Sequence, residues 1–451
     1  MILSRLAWLL CTAAAFVGVP GCAQESKPNI VFIYSDDHHY QCLGIAGNPH
    51  IRTPNLDRLA SRGVYFSNAI ASTPQCAPSR GTMLTGLESY QSGLESNGRL
   101  SFRTRTGPTV VEQIGRAGYD TVLLGKWHIE PQPQASGFVK APLWFAGGGS
   151  PYRDPRLLRG FGAPAKKIPG HITDLLTDAA VEYIGTAKQP FLLWLAYNAP
   201  HGPWQVDERY VAPYAGRNEA IVPPAHPKGG APFDWVTYYA VITHLDEAIG
   251  RIVAAIKKTG QWKNTLVVFL GDNGLLCGTK GLQGKVEAWE ESIRVPYLAS
   301  GGLVRARATI DAPVASVDLP ATFLDYAGVA ADRTLAGTSL RRELETGKSE
   351  RKAAFAAWND GRPDALASGL AVVPYRLVRT RDHKYILWRT GREALFDLSF
   401  DPGEERNLVS EPAHASLRRD LREQLIQRMR ATADPALAWV SHSATVTTIL
   451  K

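Results

Sequence analysis

Two short clusters of oxygen-bearing side chains stand far apart in the chain, Asp36 with Asp37 and Asp272 with Asn273, and each follows directly on an apolar run. Three carboxylates crowded together repel strongly unless a cation lies between them. All these donors are hard oxygens, so the set points to a single calcium ion, with magnesium less favoured and zinc disfavoured for want of thiolate or imidazole ligands. His38 and His39 adjoin the acidic pair, but neighbours on an extended chain point to opposite sides, which argues against a zinc site. Two further apolar runs lead into Lys126 with His128 and into His201, side chains that can bind an anion and move a proton. One acidic residue after an apolar run is usually a turn or a helix cap. Four such endings together imply a shared site.

The runs themselves, 29–35, 119–125, 191–197 and 265–271, are short and apolar, the pattern of strands buried on both faces. Between them, amphipathic helical patterns cover 53–62, 109–117, 172–187 and 236–258. Alternating strand and helix predict an α/β fold with a large, mostly parallel sheet flanked by helices. In open sheets of this kind ligands sit beyond the carboxyl ends of the strands, so a parallel arrangement brings the acids, Lys126 and the histidines to one rim. Near residue 350 the grammar changes, with strand-like runs at 375–379, 384–388 and 395–398 and a helix at 413–431. This predicts a catalytic domain at 27–345, a smaller C-terminal antiparallel α+β subdomain at 346–435 and a tail at 436–451. The stretch 138–169, dense in glycine and proline, predicts a long surface loop.

The 451-residue chain carries a formal charge of +8, spread without blocks, which favours anionic partners mildly and gives no sign of nucleic-acid binding. Residues 1–22 combine Arg5, an apolar run and small residues before Cys22, the grammar of a secretory signal. Val19-Pro20-Gly21-Cys22 resembles a bacterial lipobox, although Pro20 is unusual there and ordinary signal-peptidase cleavage fits as well. The expected location is therefore the periplasm or the cell surface, with Cys22 as the point of any lipid anchor. Of the five cysteines, Cys42, Cys76 and Cys277 fall in the mature chain, an odd number for a disulfide framework. One of them needs another explanation.

That explanation lies in Cys76-Ala77-Pro78-Ser79-Arg80-Gly81-Thr82-Met83-Leu84-Thr85-Gly86, which matches C-x-P-S-R-x-x-x-L-T-G at every fixed position. This is the signature of the formylglycine-dependent sulfatases of the alkaline phosphatase superfamily, and the chain resembles that family over nearly its whole mature length. Ser35-Asp36-Asp37, Gly125-Lys126-Trp127-His128, Ala199-Pro200-His201-Gly202-Pro203-Trp204 and Gly271-Asp272-Asn273-Gly274 resemble its metal and active-site motifs, in order. Gly281-Leu282-Gln283-Gly284-Lys285 looks like the segment bearing its sulfate-binding lysine, and Asp401-Pro402-Gly403-Glu404 with Asn407-Leu408 like its C-terminal signature.

The resemblance implies a sulfuric ester hydrolase releasing inorganic sulfate. It implies that a formylglycine-generating enzyme oxidises Cys76, whose hydrated aldehyde becomes the nucleophile and joins Asp36, Asp37, Asp272 and Asn273 around the calcium ion. Arg80 would bond the nucleophile's oxygens, while Lys126, His201 and Lys285 clamp the sulfate. His201, in preference to Lys285, would protonate the leaving oxygen, and His128 would take the proton of the second hydroxyl. Lys280 and Trp289 stand where the family often has histidine and tyrosine, and are expected near the rim, altering substrate fit. Trp127 and Trp204 near the rim favour a sulfated sugar substrate, with Arg99, Arg103 and Arg105 either contacting further anionic groups or simply solvated. A phosphomonoester or phosphonate-ester hydrolase of the same superfamily is the alternative, and a non-catalytic glycan-binding lipoprotein a more distant one. Cys42 and Cys277 read as buried structural thiols.

Overall fold

A computed structural model of the chain describes residues 27–102, 107–188, 190–227, 230–360 and 372–440. The secretory signal with Cys22, Arg103 and Arg105, and residues 441–451 of the expected tail lie outside the described residues.

Asn29–Ser35 lies inside an eight-stranded sheet and is buried along its whole length, as its unbroken apolar run requires. It pairs in parallel with Phe191–Ala196 on one side and Thr265–Gly271 on the other. Outward from Phe191–Ala196 come Asp120–Lys126 and the edge strand Lys140–Phe145, both parallel. Outward from Thr265–Gly271 come Tyr297–Gly301, which is antiparallel, then Val64–Phe66 and Ala308–Ile310. The sheet is thus mostly parallel, and the four predicted strands lie in its centre.

Alternate residues of one strand feed two different cores. Ile30, Phe32 and Tyr34 pack with the helices Cys76–Thr85, Val110–Arg116 and Asp318–Ala327. Val31 and Ile33 pack on the other face with Pro54–Ser61, Ile172–Thr186 and Trp235–Lys258. Among the described residues no helix is long and apolar enough to cross a membrane.

Residues 138–169 are not the long surface loop that their glycine and proline content predicts. Lys140–Phe145 is the last strand of the sheet, and Pro142, which has no N–H to give, falls at the register shift against Asp120–Lys126. Trp144 and Leu158 then exchange backbone hydrogen bonds, and Arg156–Leu157 pairs with Lys166–Lys167.

A second, four-stranded antiparallel sheet runs in the order Ala354–Trp358, Tyr375–Arg379, His383–Trp388, Glu393–Asp397. Its first strand escapes prediction because alanine gives weak strand propensity. Ala415–Ala431 and the buried Ala436 cover one face, while the other packs on Ile70, Val286 and Ile293 of the large unit. Buried charges join the two units. Glu290 accepts hydrogen bonds from Arg379 at 3.1 Å and Lys384 at 3.3 Å, and its own N–H donates to Glu404 at 2.8 Å.

Candidate active site

Asp36 and Asp37 leave the end of Asn29–Ser35, and Asp272 and Asn273 leave Thr265–Gly271; the pairing of Ser35 with Gly271 sets the two turns side by side. Asp272 N donates to Ser35 O at 2.9 Å, and Asp37 N to Asp272 Oδ1 at 3.0 Å. Asp37 adopts φ 62°, a left-handed conformation that aspartate tolerates better than most residues. The carboxylates of Asp36, Asp37 and Asp272 each place an oxygen within 4.8 Å of the others. Asn273 Nδ2 donates to Asp37 Oδ1 at 2.7 Å, leaving its buried Oδ1 without a partner. An orphaned carbonyl oxygen beside three carboxylates is a donor set that fits a hard divalent cation.

Cations of the chain crowd the same acids. Lys126, fully buried, ion-pairs with Asp36, and Lys285 with Asp37. Arg80 Nη2 lies 3.1 Å from Asp272 Oδ2 and 3.7 Å from Asp36 Oδ2, while its Nη1 donates to Lys126 O at 2.9 Å. Burial opposes ionisation of Asp36, yet Lys126, His201, Arg80 and Lys285 hold its carboxyl well below the usual carboxylate range. Burial and the charge of Asp36 push Asp272 up to about 7. That residual repulsion is what a bound cation would relieve.

Cys76 opens the buried helix Cys76–Thr85, placing its side chain at the positive pole of the helix. Its thiol donates to Asp36 Oδ1 at 3.3 Å and accepts from Lys285 Nζ at 2.9 Å. Burial, reinforced by Asp36, pushes the thiol up to about 12, so it is neutral near pH 7. His201 Nε2 stands 3.8 Å from Asp37 Oδ2, with its ring partly open to solvent. Burial, together with Lys126 and Arg80, lowers His128 to about 2, and its buried Nδ1 has no partner. All the candidate residues therefore meet at one end of the parallel sheet.

Around this centre some sequence expectations stand and others do not. His38 spends its ring nitrogens on Ser35 Oγ at 3.1 Å and Cys42 O at 3.2 Å, so it offers no lone pair to zinc. Trp127 is buried against Phe138, with its N–H on Pro131 O, so it is no rim platform; Trp204 is partly exposed. Lys280 sits 4.8 Å over the Trp289 ring and donates to Gly403 O and Glu404 O, making the two residues a clasp onto the C-terminal unit. Arg99 lies 3.6 Å from Glu95, and Cys42 and Cys277 are buried free thiols. A second cluster, His171, Asp174 and His244, fits no ion as arranged: His171 accepts from Thr173 N and bonds Gln205 O, which occupies both its nitrogens.

Sequence reasoning missed the residues that brace Cys76. Gln75 Oε1 accepts from Asn97 N at 2.7 Å, and Asn97 Oδ1 accepts from Ala77 N at 2.9 Å, a reciprocal clamp with no signal in local pattern.

The sulfatase family model matches residues 28–329, about the whole of the large unit. The chain belongs to the sulfatase family. A second model, N-sulphoglucosamine sulphohydrolase, C-terminal, matches residues 278–431 of the sulfatase. The sulfatase is 29% identical over 437 residues to the ulvan-active sulfatase of Formosa agariphila, covering 91% of this chain and 83% of that one. It is 26% identical to the N-acetylglucosamine-6-O-sulfatase of Bacteroides thetaiotaomicron, covering 93% and 90%. Among solved structures, the yidJ sulfatase of Bacteroides fragilis superposes with a TM-score of 0.80 at 27% identity, covering 92% of this chain and 97% of that one. A structure in complex with D-glucosamine-2-N,6-O-disulfate shares the fold, with a TM-score of 0.79 at 24% identity and coverage of 91% and 99%. The sulfatase is accordingly a sulfuric ester hydrolase.

Proposed function

We propose that the enzyme hydrolyses the sulfate ester of a carbohydrate, using formylglycine made from Cys76 and a calcium ion held by Asp36, Asp37, Asp272 and Asn273. The observation that carries this reading is a buried thiol in contact with both Lys285 and Asp36, beside an all-oxygen cradle with one orphaned donor. When bound, calcium would polarise the sulfuryl oxygens and ease ionisation of the hydrated aldehyde at position 76. Lys126 and Lys285, both already turned toward the acids, clamp the sulfate oxygens. Arg80 is held by Asp272 and the Lys126 carbonyl, so its charge stands at the nucleophile without reorganising. His201 gives the proton to the leaving oxygen, and His128 takes up the proton of the second hydroxyl when sulfate departs. An unmodified thiol lacks the second hydroxyl that this last step needs.

The sugar class is supported by the relatives named for ulvan and for N-acetylglucosamine-6-sulfate, and by the partly exposed Trp204 beside the His201 loop. We take residues 27–345 as the catalytic domain and 346–435 as its subdomain. Maturation calls for a formylglycine-generating enzyme, and the N-terminal segment for export to the periplasm or cell surface, with a lipid anchor at Cys22. The test combines mass spectrometry of the Cys76 peptide with sulfate release from defined sulfated sugars and their phosphate counterparts. Full activity with an intact thiol would sink the nucleophile assignment, and faster release of phosphate the choice of ester.

A further inference from the structure

We propose that Asn198 is a positioning residue, which sets His128 and His201 relative to each other by clasping the glycine loop 147–149; this rests on the roles given above to the two histidines. Asn198 is 1% exposed and lies between the strand Phe191–Ala196 and His201. Its Oδ1 accepts from Ser150 N at 3.1 Å and its Nδ2 donates to Ser150 O at 3.2 Å, so both ends of the amide grip one residue. Its own carbonyl accepts the N–H of His201 at 2.9 Å. One side chain thus ties the loop carrying His201 to the loop that follows Lys140–Phe145.

That second loop walls both imidazoles. His128 N donates to Ala146 O at 3.1 Å. A Cβ on Gly148 would stand 2.7 Å from His128 Nε2 and 2.8 Å from its Cε1, and one on Gly149 would stand 3.5 Å from His201 Cε1. There is therefore no room for a side chain between Gly148 and the ring of His128, while Gly149 faces His201. Tyr152 Oη donates to His201 O at 2.9 Å and closes the arrangement. Three consecutive glycines have little conformational preference of their own, so their seat must come from an anchor. Asn198 is that anchor. Proton transfer depends on sub-ångström placement of donor and acceptor, so slackening the clasp acts on turnover more than on substrate affinity.

The experiment compares Asn198→Ala, which loses both bonds, Asn198→Asp, which keeps the acceptor for Ser150 N–H, and Gly148→Ala, which puts a methyl against His128. Sulfate release, its pH–rate profile and Tm are measured for each. Asn198→Ala should lower kcat roughly 10- to 100-fold with KM within about 3-fold, as misplacement predicts. Its pH–rate profile should shift while Tm falls by only a few degrees, about the effect of a lost hydrogen bond or two. Asn198→Asp should fall between, and Gly148→Ala should lower kcat with Ser150 still gripped. Unchanged kcat in folded Asn198→Ala, or a loss explained wholly by unfolded protein, overturns the proposal. His128→Ala and His201→Ala in the same assay separate the two readings. If both turn over normally, the roles of the histidines fail; if both are inactive while Asn198→Ala is not, only the clasp fails.

Discussion

Lys285 Nζ donates to the sulfur of Cys76 at 2.9 Å while pairing with Asp37, so one ammonium bridges the nucleophile position and the acidic cradle. Burial works against its charge, yet the carboxylates, Asp37 first, outweigh that and hold it well above the ordinary lysine value. Lys285→Ala should lower kcat by about 100-fold or more, the scale of losing a preorganised charge at a reacting centre. Lys285→Arg should not restore it, because a planar guanidinium does not replace a compact ammonium. Steady-state sulfate release on folded variants checks both.

Chelation should remove activity and lower Tm together, since the carboxylates of Asp36, Asp37 and Asp272 would lose their shared counter-ion. Calcium at 100-fold over its Kd would stabilise the fold by about 2.7 kcal/mol. Thermal melts after EGTA treatment, then with calcium or magnesium added back, measure this. Recovery with magnesium alone would overturn the choice of ion.

Lys280 and Trp289 depart together from the residues frequent in the family, and they touch each other. Lys280→Met would remove the bonds to Gly403 O at 3.0 Å and Glu404 O at 2.9 Å and the cation–π attraction to the Trp289 ring. We expect a loss of about 1–2 kcal/mol in stability, discounted for the exposure of Lys280. KM for sulfated sugars should stay near wild type. A large rise in KM with unchanged stability would return Lys280 to the substrate.

Glu291 is a buried acid that the mechanism does not use. Burial, and then Glu404, push it up to about 8. Its folded-state pKa exceeds that of the unfolded chain, so its contribution is fully present below about pH 4.5 and is lost as pH rises toward 8. Glu291→Gln should flatten that decline, by an amount on the order of 3 kcal/mol between pH 5 and 8. Denaturant melts of both proteins at the two pH values test it, and parallel curves would show Glu291 to be charged in the fold.

Much of this protein is written locally. An unbroken apolar run such as 29–35 can only be buried on both faces, so the parallel centre of the sheet was legible, as were the polar residues that had to emerge at its ends. The motif at Cys76 named the family for the same reason, because its residues lie within one helix. Local pattern records whether a side chain is buried, though, and not what it meets. The grip of Asn198 on Ser150, the pairing of Lys280 with Trp289 and the Gln75–Asn97 brace join residues from separate loops. Lys140–Phe145 likewise became a strand only because Asp120–Lys126 offered a free edge to a proline-bearing segment. Such contacts exist only after the chain has closed on itself, and they decide how tightly the reacting groups are held.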